Sequence, residues 1–280
     1  MTEIPDDLLD RAAAAISDSE AILVAAGAGM GVDSGLPDFR GDEGFWRAYP
    51  PMRKLGVSFV NMANPTWFRR DPELAWGFYG HRMNLYRATK PHLGFQILRG
   101  WGGLKPGGTF VFTSNVDGHF QIAGFDEQGV HECHGSIHHL QCSRPCDQRI
   151  WDAGTIRIDV DEETFRARPP LPECPACGAV ARPNVLMFGD WGWIPHRSQQ
   201  QDSRFGEWLD SLEDTRLVVI ELGAGSAVPT VRLTSERVAA GTGGALVRIN
   251  LREPGVPTGA VGIPATALTA LEEIDRRLSQ

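Results

Sequence analysis

The chain has 280 residues, with 27 basic and 35 acidic side chains and a formal charge of −8. That balance lacks the concentrated positive field that direct nucleic-acid binding needs, so no nucleic-acid partner is expected. A chain of this length can bury a full core, as one large domain or a large one plus a small one, and a 42% hydrophobic content is ordinary for a globular protein. No apolar run approaches the ~20 residues that span a bilayer, and MTEIPDDLLDR lacks the charged-then-apolar order of a signal peptide. A cytoplasmic protein away from membranes is therefore expected. Five cysteines are too few, and odd in number, for a disulfide framework; they point to a metal or to free thiols.

Leu8 to Ile16 reads as a short amphipathic helix. The apolar run Ile22 to Ala26 reads as a buried parallel strand that enters Gly27-Ala28-Gly29. Glycines there let a backbone approach a pyrophosphate closely, although an ordinary tight strand-to-helix turn explains the glycines by themselves. Gly35-Leu36-Pro37-Asp38-Phe39-Arg40-Gly41 follows, and an acid, an aromatic and a base in succession between glycines are hard to explain as packing.

Residues 45–64, rich in Gly, Pro and aromatics, are expected to be irregular. Pro72 to Ala88 reads as a helix with Leu74, Phe78 and Leu85 toward one side. A strand from Thr109 to Thr113 delivers Ser114-Asn115-Val116-Asp117, where the bland use of Asn115 and Asp117 is an Asx turn capping the next helix. His131-Glu132-Cys133-His134-Gly135 comes next. An imidazole here titrates near neutrality and can act as a base, or can be a structural histidine satisfied by hydrogen bonds. Cys133 reads as a buried, inert thiol, and His138 and His139 as surface or module residues.

Residues 136–181 are punctuated by Cys and Pro and read as a separate module. Cys142 and Cys146 form one close pair and Cys174 and Cys177 another, and two such pairs complete a tetrahedral, closed, structural zinc site. A redox Cys-x-x-Cys reading of the second pair leaves the first unexplained. Arg216 to Leu222 and Ala245 to Ile249 read as further strands, entering Gly223-Ala224-Gly225 and Asn250, and Ala265 to Leu278 as a closing helix. Strands alternating with helical segments indicate a parallel α/β sheet, whose ligands sit beyond the carboxyl ends of the strands.

The motifs together resemble the sirtuins, the NAD-dependent protein deacylases. Gly27, Ala28, Gly29, Ser34, Gly35, Pro37, Asp38, Phe39, Arg40 and Gly41 match the family's first cofactor loop. Thr113, Asn115 and Asp117 match its TQNID segment, His134-Gly135 its His-Gly pair, and Arg182 to Asp190 its RPxVVxFGE segment. The resemblance implies a Rossmann-like NAD-binding domain (1–44, 91–135 and 182–280) and a smaller domain of a helical part (45–90) and a zinc-binding module (136–181).

It further implies that Gly27, Ala28, Gly29, Asp38, Phe39, Arg40, Asn115, Asp117, Gly223, Gly225 and Asn250 bind NAD. His134 would be the general base and Asn115 would act beside the scissile glycosidic bond. Val185, Met187, Phe188 and Gly189 would form one wall of an acyl-lysine tunnel, pairing with the substrate backbone, with Trp191 and Trp193 toward its mouth, although Val185, Met187 and Phe188 fit the core of an ordinary strand equally well. The implied reaction moves an acyl group from lysine to ADP-ribose and releases nicotinamide.

Tyr79 and Arg82 match a Tyr-x-x-Arg pattern of sirtuins that remove succinyl and malonyl groups. A tyrosine hydroxyl and a guanidinium at i, i+3 can converge on a carboxylate. A solvent-facing Arg beside a half-buried Tyr fits the pattern equally well. Ala26, Ser114, Ala224-Gly225 and Asp190 depart from the family pattern, and the first three remove hydroxyl and amide donors near the cofactor, each worth ~1 kcal/mol where a partner is left unpaired. Two other readings stand beside the deacylase: an NAD glycohydrolase or ADP-ribosyltransferase, and a catalytically silent NAD-sensing module.

Overall fold

A computed structural model describes residues 4–38, 41–54 and 56–280. The large sheet contains β1 (Ala21–Ala26), β2 (Thr109–Thr113), β3 (Val130–Glu132), β7 (Leu217–Leu222), β8 (Ala245–Ile249) and β9 (Val261–Ile263). A small sheet contains β4 (Gly135–Cys142), β5 (Ile150–Asp152) and β6 (Ala181–Val185). Large-sheet strands lie in the order β3-β2-β1-β7-β8-β9, and every pairing is parallel. Chain order runs outward in one direction from β1 through β3, then in the other from β7 through β9. The reversal falls between β1 and β7, the topological switch point of a Rossmann-like sheet, where a crevice opens beyond the carboxyl ends.

Burial on both faces explains why these strands are continuous apolar runs rather than alternating ones. All six residues of β1 are buried. Ile22, Val24 and Ala26 join a core with the helices Asp6–Asp18, Leu93–Gly103 and Ala267–Leu278. Leu23 and Ala25 face the opposite way, toward Phe205 of the helix His196–Asp210 and Val231 and Val238 of Thr230–Thr242. Arg248 of β8 is buried with them, held by Glu221 of β7 at 2.6 Å and by Glu236 at 2.7 Å.

A third core belongs to the small domain. The helix Pro72–Ala88 begins at Asp71, whose carboxylate accepts from the Leu74 N–H, with Pro72 in the first turn, where its missing N–H costs no hydrogen bond. Its buried residues are not confined to one side: Leu74 through Gly80 form an unbroken buried run, followed by Arg82, Met83 and Tyr86. Gly77 and Gly80 admit the crossing of the 158–166 segment, since a Cβ on Gly77 would collide with the Phe165 carbonyl and one on Gly80 would lie 2.5 Å from Ile158. Leu85, expected on the buried side, is only half-buried.

The segment expected to be irregular holds three short helices, Gly41–Ala48, Pro50–Lys54 and Phe59–Met62. Prolines 50 and 51 and Gly56, at φ +65°, keep them short. Phe45 and Tyr49 are buried in the small core, packing edge-on against Phe78 at 5.8 and 5.2 Å between ring centroids. Tertiary burial of aromatics therefore organises a stretch with weak local propensity.

The antiparallel small sheet has the order β5-β4-β6. β6 spans residues 181–185, so the boundary expected at 182 cuts a strand that pairs with β4, not with the large sheet. The chain crosses between the two sheets at Cys133-His134 and returns after Val185. Among the described residues, no helix is long and apolar enough to cross a membrane.

Candidate active site

A cavity of about 740 Å³ lies where the loops after β1, β2 and β7 meet the small domain. Its size falls inside the range of small-molecule and cofactor sites, roughly 300–1,000 Å³. The loops after β1 and β7 come together through the sheet order. Gly27 N–H donates to the Leu222 carbonyl at 2.9 Å, and Gly29 N–H to the Gly223 carbonyl at 3.1 Å. A Cβ on Gly27 would stand 2.7 Å from the Ala224 Cα. Gly223, at φ +60°, would drive a side chain into the Gly29 backbone. Only glycine lets these two loops pack backbone to backbone at the switch point.

The third loop is tied in by hydrogen bonds. Ser114 N–H donates to the Ala26 carbonyl at 3.1 Å, and Asn115 Nδ2 to the Gly27 carbonyl at 3.0 Å. Asp117 Oδ1 accepts from His119 N–H at 2.9 Å, so the bland Asx-turn use of this carboxylate is realised, while Asp117 also lines the cavity. The Asp117 carbonyl meets His138 Nε2 at 2.8 Å. His138, read from the sequence as a surface or module residue, is thus a strut from the small sheet to the cofactor-type loop.

His134 lines the cavity at the crossover between sheets. Its carbonyl accepts from Leu186 N–H at 2.9 Å. Gly135, at φ +77°, has no room for a Cβ against the Asn184 carbonyl, so β4 and β6 approach closely just behind the imidazole. Burial lowers the His134 pKa below the usual imidazole value, favouring a neutral ring at pH 7 that can accept a proton. Burial pushes the neighbouring Cys133 thiol up to about 12, which keeps it protonated and unreactive.

On the small-domain side the cavity wall is apolar, with Phe59, Val60, Val185, Met187 and Phe188. A buried ion pair shapes the loop that carries the last two. Arg182 Nη1 and Nη2 donate to the two Asp190 oxygens at 2.6 and 2.9 Å, and Asp190 accepts in turn from the N–H groups of Met187 at 3.3 Å and Gly192 at 3.2 Å. Phe188 N–H is bonded to the Ala63 carbonyl at 2.9 Å. The N–H groups of residues 186–188 are therefore already engaged. A peptide adding here as a strand would use carbonyls, or backbone from Gly189 on. Trp191 is fully exposed at the rim, whereas Trp193 does not line the cavity.

Tyr79 and Arg82 are both buried and both line the cavity, so the solvent-facing reading of Arg82 is not what the chain adopts. The structure gathers Gly27, Ala28, Asp38, Asn115, Asp117, His134, Tyr79, Arg82, Val185, Met187, Phe188, Gly189, Gly223 and Gly225 around one space. Gly29 and Asn250 lie outside the lining. Asn250 supports it from behind, its Nδ2 donating to the Ala224 carbonyl at 2.7 Å. Phe39 and Arg40 fall outside the described residues. Tyr86 and Phe59 line the cavity without having stood out in the sequence, where nothing separates them from ordinary core aromatics.

Away from the cavity, Cys142, Cys146, Cys174 and Cys177 converge, their Sγ atoms all within 4.8 Å of one another. The Cys142–Cys177 and Cys146–Cys174 sulfurs are 3.7 and 3.6 Å apart. A tetrahedron with ~2.3 Å Zn–S bonds has edges of ~3.8 Å, so the four thiols fit zinc.

Sheet order, glycine cradle and a histidine at the domain crossover define an α/β protein with a dinucleotide-type cleft facing a zinc-module domain. The model of the Sir2 family matches residues 27–204, and the chain belongs to that family. An NAD-dependent protein deacylase of Thermococcus sibiricus is 30% identical over 254 residues, 89% of this chain and 88% of that protein. NAD-dependent protein deacylase 1 of Archaeoglobus fulgidus is 30% identical over 94% of this chain and 95% of its own length. A solved complex of a mutant Sir2 homologue with ADP-ribose is similar at 25% identity and a TM-score of 0.72, covering 96% of both chains. A related mutant complex holds 2′-O-acetyl-ADP-ribose, at 26% identity and a TM-score of 0.70, again with 96% of both chains covered.

Proposed function

We propose that this chain is an NAD-dependent protein-lysine deacylase that transfers the acyl group to ADP-ribose, releases nicotinamide and favours acidic acyl groups such as succinyl and malonyl. One observation carries the reading. A neutral imidazole, an Asn-x-Asp loop, a glycine cradle and a Tyr-x-x-Arg pair, drawn from four distant parts of the chain, line a single cavity. The deacylases among its relatives, and the ADP-ribose and acetyl-ADP-ribose complexes among its structural neighbours, support the same reaction class.

Gly27, Ala28, Gly223 and Gly225 would hold the NAD phosphates and ribose through backbone groups, which suits a site whose loops are fixed by backbone packing. Asp38, Asn115 and Asp117 would orient the nicotinamide half. NAD supplies a glycosidic bond whose cleavage leaves an acceptor for the acyl oxygen. His134, uncharged at pH 7, takes the proton of a ribose hydroxyl as that oxygen becomes nucleophilic. Val185, Met187, Phe188 and Phe59 exclude water along the lysine and acyl stem. The large domain thus carries NAD, the small domain contributes to the acyl-lysine side, and the four-cysteine zinc holds the module without touching the reaction. The protein acts in the cytoplasm on acyl-lysine peptides.

The test is nicotinamide release by the purified protein with NAD, alone and with acetyl- or succinyl-lysine peptide, beside His134→Ala. Release that requires peptide and falls by roughly 10²-fold or more in the variant, as expected on removal of a general base, supports the reading. Release without peptide would replace it with a glycohydrolase, and bound NAD with no release would replace it with a sensor.

A further inference from the structure

The helix Pro72–Ala88 presents a third polar group to the cavity. Tyr79, Arg82 and Tyr86 are spaced i, i+3 and i+7, which at 3.6 residues per turn places them within an arc of about 60° on one helix face. All three are buried and all three line the same cavity as His134. Arg82 Nε donates to the Tyr86 hydroxyl at 2.9 Å, one turn along the helix. The guanidinium carbon also sits over the rings of Phe78, Tyr86 and Tyr79 at 5.2, 5.4 and 5.7 Å.

The hydrogen bond from Nε to the Tyr86 hydroxyl helps to set the orientation of the planar Arg82 fork. A guanidinium keeps its charge at neutral pH even when buried, so the Arg82 cation persists beside neutral tyrosine hydroxyls. Tyr86 is itself raised by burial, against the opposing effect of Arg82, and stays a neutral hydroxyl. It can accept from Nε and still offer its own proton.

We propose that Tyr86 is a positioning and specificity residue whose hydroxyl fixes the Arg82 fork for bidentate contact with the distal carboxylate of an acidic acyl chain. The proposal rests on the acidic-acyl reading above and adds a residue outside the Tyr-x-x-Arg pattern. Carboxylate recognition by Arg depends on the fork's orientation as well as its charge, so loss of the Tyr86 hydroxyl should weaken the fit while leaving the charge in place.

The experiment compares wild type, Tyr86→Phe and Arg82→Met on matched succinyl- and acetyl-lysine peptides with NAD. It reads the ratio of kcat/KM for succinyl over acetyl, which is independent of the fraction of each preparation that is folded. Tyr86→Phe is expected to lower the ratio roughly tenfold, through KM for the succinyl peptide, with Arg82→Met lowering it further. An unchanged ratio in Tyr86→Phe, or a parallel loss on both peptides, would overturn the role for Tyr86. If the wild-type ratio is no higher than that of Arg82→Met, the acidic-acyl reading itself is wrong and this proposal goes with it. A high wild-type ratio lost in Arg82→Met but kept in Tyr86→Phe overturns the Tyr86 role alone.

Discussion

At the scale of single residues, the site turns on where a few polar groups are desolvated. His134 has no carboxylate among the causes of its shift; burial alone lowers its pKa. A base with a depressed pKa loses activity only when the pH falls below the ordinary imidazole value of ~6.5. The acid limb of kcat/KM is therefore expected below pH ~6.5, with the rate flat from there through neutrality. A pH–rate profile on an acetyl-lysine peptide checks this, and a limb centred above the free imidazole value would mean that His134 is not the titrating base. Asp190 makes a different point. The sequence matches a family position with the shorter acid, and the buried pair with Arg182 shows what the acid does. It closes the 186–190 turn by accepting from Arg182, Met187 and Gly192 at once. Removing one partner of such a pair leaves a buried charge uncompensated.

At the scale of elements, the zinc module and β6 are one piece of architecture. Cys142 ends β4, and the Cys174–Cys177 turn leads into β6, which pairs antiparallel with β4 and then runs on to Met187 and Phe188. Cys142 pairs directly with Ala181 in that ladder. A metal closing the four thiols therefore fixes the two strands that frame His134 and the apolar wall. Metal removal is expected to lower the melting temperature and to weaken peptide turnover more than NAD binding, because the glycine loops belong to the large sheet. Metal analysis of the purified protein, then melting and nicotinamide release before and after chelation, checks this. A metal-free protein with unchanged melting and turnover would count against a structural zinc. The 45–64 stretch is the opposite case, with short helices stabilised by burial of Phe45, Tyr49 and Met52 rather than by local propensity.

At the scale of the whole molecule, a buried and a half-buried histidine make stability depend on pH. His131 and His139 are both lowered to about 4, in each case first by burial. Folded rings that refuse protons while the unfolded chain accepts them at ~6.5 give a stability that is complete above that value and is lost as pH falls toward 4. Below that, the Asp161 carboxylate, held at about 2 by hydrogen bonds from Thr164, extends the loss. Glu132 acts in the other direction, its pKa raised by burial against the pull of Arg197, so its protonation relieves part of the cost. Net, melting temperature is expected to fall steadily between pH 6.5 and 4, and His131→Gln with His139→Gln to flatten that slope. Thermal melts across the range check it; a wild-type slope unchanged in the double variant would assign acid sensitivity to other groups.

The sequence by itself determined the strands, the glycine turns at their carboxyl ends, the paired cysteines and the family. Each of these is a local signal: an apolar run, a residue type that a turn requires, a spacing along the chain. Tertiary structure decided which of those signals share a space. Sheet order β3-β2-β1-β7 brings Gly27, Asn115 and Gly223 together across almost two hundred residues, and the crossover at Gly135 turns His134 toward them. Asn250 carried the same strand-end signature as Gly223, yet its side chain braces the loop instead of lining the cavity. Tyr86 and His138 had no signature at all, because an aromatic or an imidazole in a core-like pattern acquires a role only from the group placed opposite it. For Tyr86 that group is a guanidinium on its own helix, and for His138 a carbonyl on the neighbouring domain's loop.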